Sequence, residues 1–73
     1  SERNQAFINQ LRPITNSSKL LFGRDDEKGK VWVYCKEWED ATLIEVIRVF
    51  HKHRWHFKLT TWGESKLPCI MSV

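Results

Sequence analysis

The hydrophobic positions near the start of the chain predict a short amphipathic helix. Phe7 and Leu11 are four residues apart and therefore share one face of a helix. Ser1 can cap its first turn, and Pro13 is expected to end it because proline has no amide for the helix interior. The polar residues Thr15 to Ser18 that follow are typical of a turn.

Two strands are predicted next, joined as a hairpin. Lys19 to Gly23 and Lys30 to Lys36 have the β-branched and aromatic residues of strands, and the charged segment between them ends in Gly29. Side chains alternate between the faces of a strand. The second strand should therefore place Val31, Val33 and Cys35 on one face and Trp32 and Tyr34 on the other.

The clearest helix of the sequence runs from Ala41 to about Lys52, with Asp40 as its expected N-cap. Its apolar residues occur in pairs separated by one polar residue, which favours a helix over a strand. The wide apolar arc predicts that this helix packs deeply against a sheet. The residues of the arc are Leu43, Ile44, Val46, Ile47, Val49 and Phe50.

Two more strands complete the chain, from Trp55 to Trp62 and from Cys69 to Val73, with a turn around Gly63 between them. The first of these should direct Trp55, Phe57 and Leu59 to one face and His56, Lys58 and Thr60 to the other. The predicted order is therefore α-β-β-α-β-β. We expect a small α+β domain with a mostly antiparallel sheet packed against the main helix.

Length and composition limit the kind of protein this is. Seventy-three residues suffice for one domain, which can be a segment of a longer protein, and leave little interior for a deep catalytic pocket. No nucleophile elbow, phosphate-binding glycine loop or other catalytic motif is present, so we expect no enzymatic activity. No signal peptide or membrane-length apolar run precedes or interrupts the pattern, which favours an intracellular protein, cytoplasmic or nuclear, without membrane contact.

The face of the sheet that carries Trp32 and Tyr34 is the first candidate for function. His56 and Lys58 alternate onto the same side of a neighbouring strand, and flat aromatic rings beside cations can stack on bases and contact phosphates. The alternative is that the first helix covers this face through Phe7 and Leu11. In that case Trp32 and Tyr34 are core residues.

A basic run is the second candidate. Residues 48–58 contain four Lys or Arg side chains and all three histidines without one acidic residue, in a chain of formal net charge +3. We expect Arg48, Lys52, Arg54 and Lys58 to contact the phosphates of DNA or RNA, with Arg48 and Lys52 one helical turn apart. The alternative is that the cations at the end of the helix serve to complement its dipole.

Other chemistry receives less support from the sequence. The histidines and Cys35 or Cys69 lack the paired spacing of a zinc site, so neither a metal nor another cofactor is predicted, and the two cysteines are expected to be buried thiols. Acidic residues group at 25–27 and 37–40, away from the basic run. The alternative function is therefore a protein interaction or homo-oligomeric assembly. Either the acidic edge faces a partner's basic edge, or the basic residues face an acidic protein surface, or the open strand Lys19 to Gly23 pairs with another strand.

Overall fold

The computed structural model describes all 73 residues and shows two helices and a four-stranded antiparallel sheet. The order α-β-β-α-β-β and the small α+β class are as predicted from the sequence. Neither helix has the length and apolarity needed to cross a lipid bilayer. The elements are α1 (Glu2–Ser17), β1 (Leu21–Asp25), β2 (Lys30–Tyr34), α2 (Asp40–Lys52), β3 (Phe57–Trp62) and β4 (Leu67–Ser72).

The sheet consists of two hairpins that meet at its centre. The strand order is β1-β2-β4-β3, so β1 and β3 are the two edges and β2 and β4 are the inner strands. The hairpins meet through three residue pairs only, Trp32 with Met71, Val33 with Ile70 and Tyr34 with Cys69. We call this contact the β2–β4 seam. It is extended at one end by a hydrogen bond of 3.4 Å from the Cys35 amide to the Pro68 carbonyl oxygen.

Both helices pack on the same face of the sheet. The ring of Phe7 in α1 lies 4.7 Å from that of Phe50 in α2, and both belong to one core cluster with Val31 and Val33 of β2. Alternation along β2 then directs Trp32 and the other even-numbered side chains away from the helices. The alternative that the first helix covers Trp32 and Tyr34 is therefore wrong, and we call this uncovered side the open face.

The first helix is longer than predicted because it continues through Pro13. Pro13 is exposed, whereas Leu11 before it is fully buried and Ile14 after it packs against the core. Packing of Ile14 extends the apolar stripe by one turn and offsets the amide that Pro13 lacks. The hydroxyl of Ser17 donates to the Pro13 carbonyl oxygen at 3.1 Å, so the predicted turn at Thr15 to Ser18 is in fact the last helical turn.

The ends of the helices are built in three different ways. The Ser1 hydroxyl accepts a hydrogen bond from the Asn4 amide at 3.1 Å, which confirms the predicted cap of α1. In α2 the N-cap is Glu39, without a side-chain hydrogen bond, and Asp40 lies in the first turn instead of capping it. After α2, Arg54 has a left-handed backbone with a φ of 56°, and the chain reverses there.

Strand boundaries differ from the predicted ones by about two residues at several ends. Trp55 precedes β3, because its amide donates to the Phe50 carbonyl oxygen at 3.0 Å and closes the end of α2. Its side chain is buried in the core. Leu59 lies opposite Ile70 on the side of the helices, as predicted, but it is 70% exposed. β3 is an edge strand, and the helix layer covers the centre of the sheet instead of this edge.

Candidate functional site

The open face is organised in rows that cross the strands. One row joins Gly23, Trp32, Met71 and Lys58, since these residues are successive register partners. The structure therefore brings together three of the predicted site residues, because Tyr34 lies next to Trp32 along β2 and Lys58 lies at the end of this row. A basic side chain thus borders an aromatic surface, as the sequence predicted for this side of the sheet.

The aromatic surface is a cluster of three rings. Trp32 stacks on Trp62, with ring centroids 4.8 Å apart and an interplanar angle of 28°, and the ring of Tyr34 lies 5.8 Å from that of Trp62. All three side chains are half-buried, and none belongs to the core cluster. Sequence reasoning left Trp62 out of the site, although Lys58, Thr60 and Trp62 follow the alternation that places them on one face.

A glycine on the neighbouring strand makes room for Trp32. The ring lies directly over Gly23 of β1, and a Cβ at that position would overlap the indole. Cys69 of β4, in the row of Tyr34, is 2% exposed, although it points to the side without helices. The rings therefore cover this part of the sheet and are held in a defined arrangement, instead of projecting singly into solvent.

Two of the predicted phosphate contacts lie elsewhere. Arg48 and Lys52 are exposed on α2, one turn apart, and α2 packs on the opposite side of the sheet from the aromatic cluster. These two members of the basic run therefore lie apart from the aromatic surface. The periodicity of α2 indicated that these two side chains face solvent, but not which side of the sheet the helix covers.

The remaining two predicted site residues, Arg54 of the basic run and His56 of the aromatic face, lie at the junction between α2 and β3. A cavity of about 300 Å³ opens there, lined by His51, Arg54, Trp55, His56 and Phe57. Arg3 reaches the same junction from α1. Its guanidinium lies 4.3 Å from the Trp55 ring centroid and donates to the carbonyl oxygens of His53 at 3.2 Å and Arg54 at 3.3 Å. No pattern in the sequence indicated that α1 contributes a cation to this region.

His53 differs from the two other histidines of the basic run. It is half-buried, its ring packs edge-on against Phe7 at 5.7 Å, and its Nε2 atom has no hydrogen-bond partner. Burial lowers the pKa of His53 below its ordinary value, and the nearby cations of Lys52 and Arg3 lower it further. A proton on His53 is therefore less favourable than on a histidine with its ordinary pKa, so this residue is less suited to holding an anion.

The acidic group at residues 25–27 is largely engaged within the protein. Asp26 accepts hydrogen bonds from the Arg24 guanidinium at 3.0 and 2.9 Å and from the side-chain Nδ2 of Asn4 at 2.8 Å. These bonds hold the pKa of Asp26 well below its usual range, the Arg24 contact having the largest effect. Asp25 accepts from the amide of Lys28 in the hairpin turn. These two carboxylates therefore stabilise the β1–β2 turn.

Other features of the molecule offer little chemistry. The cysteines Cys35 and Cys69 are buried, and burial raises the pKa of both thiols. No three His, Cys, Asp or Glu side chains come together as a metal ion would require. A larger cleft of about 610 Å³ lies between the end of α1 and the start of α2, but its walls mix lysines with the acidic residues Glu37 and Glu39.

Comparison of the chain with protein-family models, with curated proteins and with solved structures found no match. The arrangement of the open face, the exposed side of α2 and the α2–β3 junction is therefore the basis for assigning a function.

Proposed function

We propose that the protein is a non-catalytic module that binds single-stranded nucleic acid on the open face of its sheet. The observation that supports this proposal is the placement of both helices on one side, which leaves Trp32, Tyr34 and Trp62 partly accessible on the other. An antiparallel sheet that presents aromatic rings is a platform on which unpaired bases can stack. Each stacked base contributes about 1–3 kcal/mol of binding free energy by this mechanism.

Cations border the platform at two positions. Lys58 lies at the end of the row that contains Trp32, and Lys30 lies on β2 at the same alternation as Trp32 and Tyr34. Both side chains are exposed, and neither forms a salt bridge. A strand whose bases stack on the rings would place phosphates within reach of such flanking amines. Binding should therefore weaken as the salt concentration rises, because the release of counterions from the nucleic acid then contributes less to the binding free energy.

The geometry favours a single strand over a duplex. The bases of a duplex are stacked on one another, so their faces are not free for Trp62 or Tyr34. No helix projects from the open face that could enter a major groove. Arg48 and Lys52 lie in the helix layer and add a positive field that speeds encounter with any polyanion, without contacting bases stacked on the sheet.

The indole N–H signals in an NMR titration test the proposal directly. A mixed-sequence single-stranded oligonucleotide is expected to shift the signals of Trp32 and Trp62 and to leave that of Trp55 unchanged, since Trp55 is only 6% exposed in the core. A duplex of the same sequence should shift them less. Equal shifts with both ligands, or none, would contradict stacking on the open face.

A matched pair of charge variants locates the phosphate path. Lys58→Gln and Lys52→Gln remove the same charge from opposite layers of the molecule, and both side chains are exposed. Lys58→Gln should weaken oligonucleotide binding and reduce the salt dependence by about one counterion. Lys52→Gln should have a smaller effect. If Lys52→Gln is the more damaging variant, the strand follows the helix layer and the proposal is wrong.

A second candidate function is self-assembly through the edge of the sheet. β1 pairs only with β2, so its outer edge is free, and Leu21 on this strand is 55% exposed. A free edge strand can pair with the same edge of a second copy. Sedimentation at increasing protein concentration tests this function. Association that Leu21→Lys abolishes would support it, and a monomer at all concentrations would exclude it.

A further inference from the structure

We propose that the cavity at the α2–β3 junction is a binding pocket for a phosphate group. Phe57, one of its lining residues, packs against Phe50 of α2, and none of the lining residues belongs to the aromatic cluster of the open face or to the lysines that flank it. The inference therefore does not depend on the function proposed above. It assigns a second site with a chemistry of its own.

The walls of the pocket supply the donors that a phosphate needs. His51, Arg54 and His56 line it, and all three side chains are exposed. Imidazole and guanidinium N–H groups donate charge-assisted hydrogen bonds to phosphate oxygens, and the planar guanidinium can donate two at once. The floor is formed by Trp55 and Phe57, which exclude water on that side and strengthen the electrostatic attraction.

The polar side chains that line the pocket are not used for internal ion pairs. The salt bridges of the protein all involve Asp26, at the β1–β2 turn, and the side chains of His51, Arg54 and His56 make no hydrogen bond to another group. Arg3 adds a further positive charge behind the floor, 4.3 Å from the Trp55 ring. The guanidinium groups of Arg3 and Arg54 therefore lie at this junction without a salt bridge to an acidic side chain.

The backbone of Arg54 is fixed in the turn that ends α2. The Arg54 amide donates to the His51 carbonyl oxygen and the Trp55 amide to that of Phe50, each at 3.0 Å, which is the hydrogen-bond pattern of a Schellman motif. The residue at the left-handed position of this motif is usually glycine, because a side chain there is strained. Arginine occupies it here with a φ of 56°. Strain of this kind concentrates at binding sites.

The ligand class is a phosphate group on a compact carrier. A volume of about 300 Å³ lies at the small end of ligand pockets, and the half-buried ring of Phe57 provides an apolar surface in its lining. Two sources present this chemistry, a free mononucleotide and the terminal phosphate of a nucleic-acid strand. The phosphate is the shared feature, and the choice of probe separates the two sources.

The test uses two variants that are matched in charge and in backbone. Arg54→Gly and Lys66→Gly each remove one positive charge and each place glycine at a left-handed position, since Lys66 has a φ of 52° in the β3–β4 turn. Titrations with inorganic phosphate, AMP and an oligonucleotide with or without a 5′-phosphate would be followed by calorimetry and by the NMR signals of His51 and His56. Arg54→Gly should weaken phosphate binding about tenfold or more, and Lys66→Gly should not.

The outcomes separate the two phosphate sources from each other and from the absence of a site. Preference for AMP over inorganic phosphate would support a nucleotide pocket, and preference for the 5′-phosphorylated oligonucleotide would support a strand-end pocket. No binding of any phosphate, or equal losses in both glycine variants, would overturn the inference. His56→Gln, a change at an exposed position, repeats the test without altering the backbone and should also weaken phosphate binding. Arg54→Gly should leave the Trp62 shift with unphosphorylated oligonucleotide intact, so this site and the open face can fail independently.

Discussion

The two faces of the sheet use the same strands for different purposes. On the side of the helices, Val31, Val33 and Ile70 are at most 1% exposed and form the core with Phe7 and Phe50. On the open face the intervening residues are aromatic rings that remain half-buried without any helix above them. A single strand such as β2 therefore contributes β-branched residues to stability and aromatic residues to a surface.

This difference shows on which face a domain of this size can expose hydrophobic surface area without opening its core. The core is already closed by two helices on one face, so the rings of the open face are not needed to complete it. They nevertheless cover part of the sheet, since Cys69 beneath them is 2% exposed. A mixture of partial burial and partial access is typical of a binding surface that must stay folded without its ligand.

The largest contrast between the faces should appear in the free energy of unfolding. Phe50→Ala removes a fully buried ring that packs against Phe7, Trp55 and Phe57, and should cost about 3–5 kcal/mol, close to the whole stability of a small domain. Trp62→Ala on the open face should cost about 1–2 kcal/mol, because its ring is half-buried and loses one stacking partner. Urea denaturation monitored by far-ultraviolet circular dichroism measures both. Equal costs would mean that the open face is a second core.

A smaller effect is expected from Gly23→Ala, which tests how the open face is built. The new methyl group must displace the Trp32 indole and disturb its stack on Trp62, at a cost of about 1–3 kcal/mol. Near-ultraviolet circular dichroism should lose the signal of the coupled indoles. In a Trp32→Val background the same change should cost little, because nothing then lies over the position. An undiminished cost in that background would contradict direct contact as the cause.

The smallest effect is a pH dependence confined to the side of the helices. The pKa of His53 is lowered in the folded protein by burial, and further by Lys52 and Arg3. As the pH falls, the imidazole is therefore protonated at a higher pH in the unfolded chain than in the folded protein. Its contribution to stability is complete above its ordinary pKa of 6.5 and decreases as pH falls below that value. Denaturation at about pH 7 and about pH 5 should show this decrease in the parent protein, and His53→Gln should reduce it. A pKa of His53 at or above 6.5 by NMR would refute the assignment.

Much of the fold could be predicted from local patterns. The paired apolar residues of α2 predicted a helix, and the strict alternation of β2 predicted a strand. The structure confirms both elements. The errors occur where packing outweighs local preference. Ile14 packs against the core and carries the first helix past Pro13, and the Schellman turn at Arg54 uses Trp55 to close α2 before β3 begins.

The candidate site was only partly predictable, because its residues come from several elements. Alternation was enough to place Trp32, Tyr34 and Lys58 on one face. It could not show that α1 packs beside α2, which decides whether that face is open. The grouping of Arg54 and His56 with His51 around a cavity depends on how α2 meets β3 in three dimensions. No regular spacing in the sequence encodes this junction.

The β2–β4 seam has a consequence for how the chain folds. Each hairpin can form from neighbouring residues within microseconds, but the seam joins residues far apart in the sequence and must wait for a long loop to close. Trp32 belongs to the first hairpin and Trp62 to the second, so their stack exists only after that closure. A ligand that stacks across both rings would bind only the assembled sheet. It would therefore raise the stability of the native state by an amount that grows with the ligand concentration relative to its Kd.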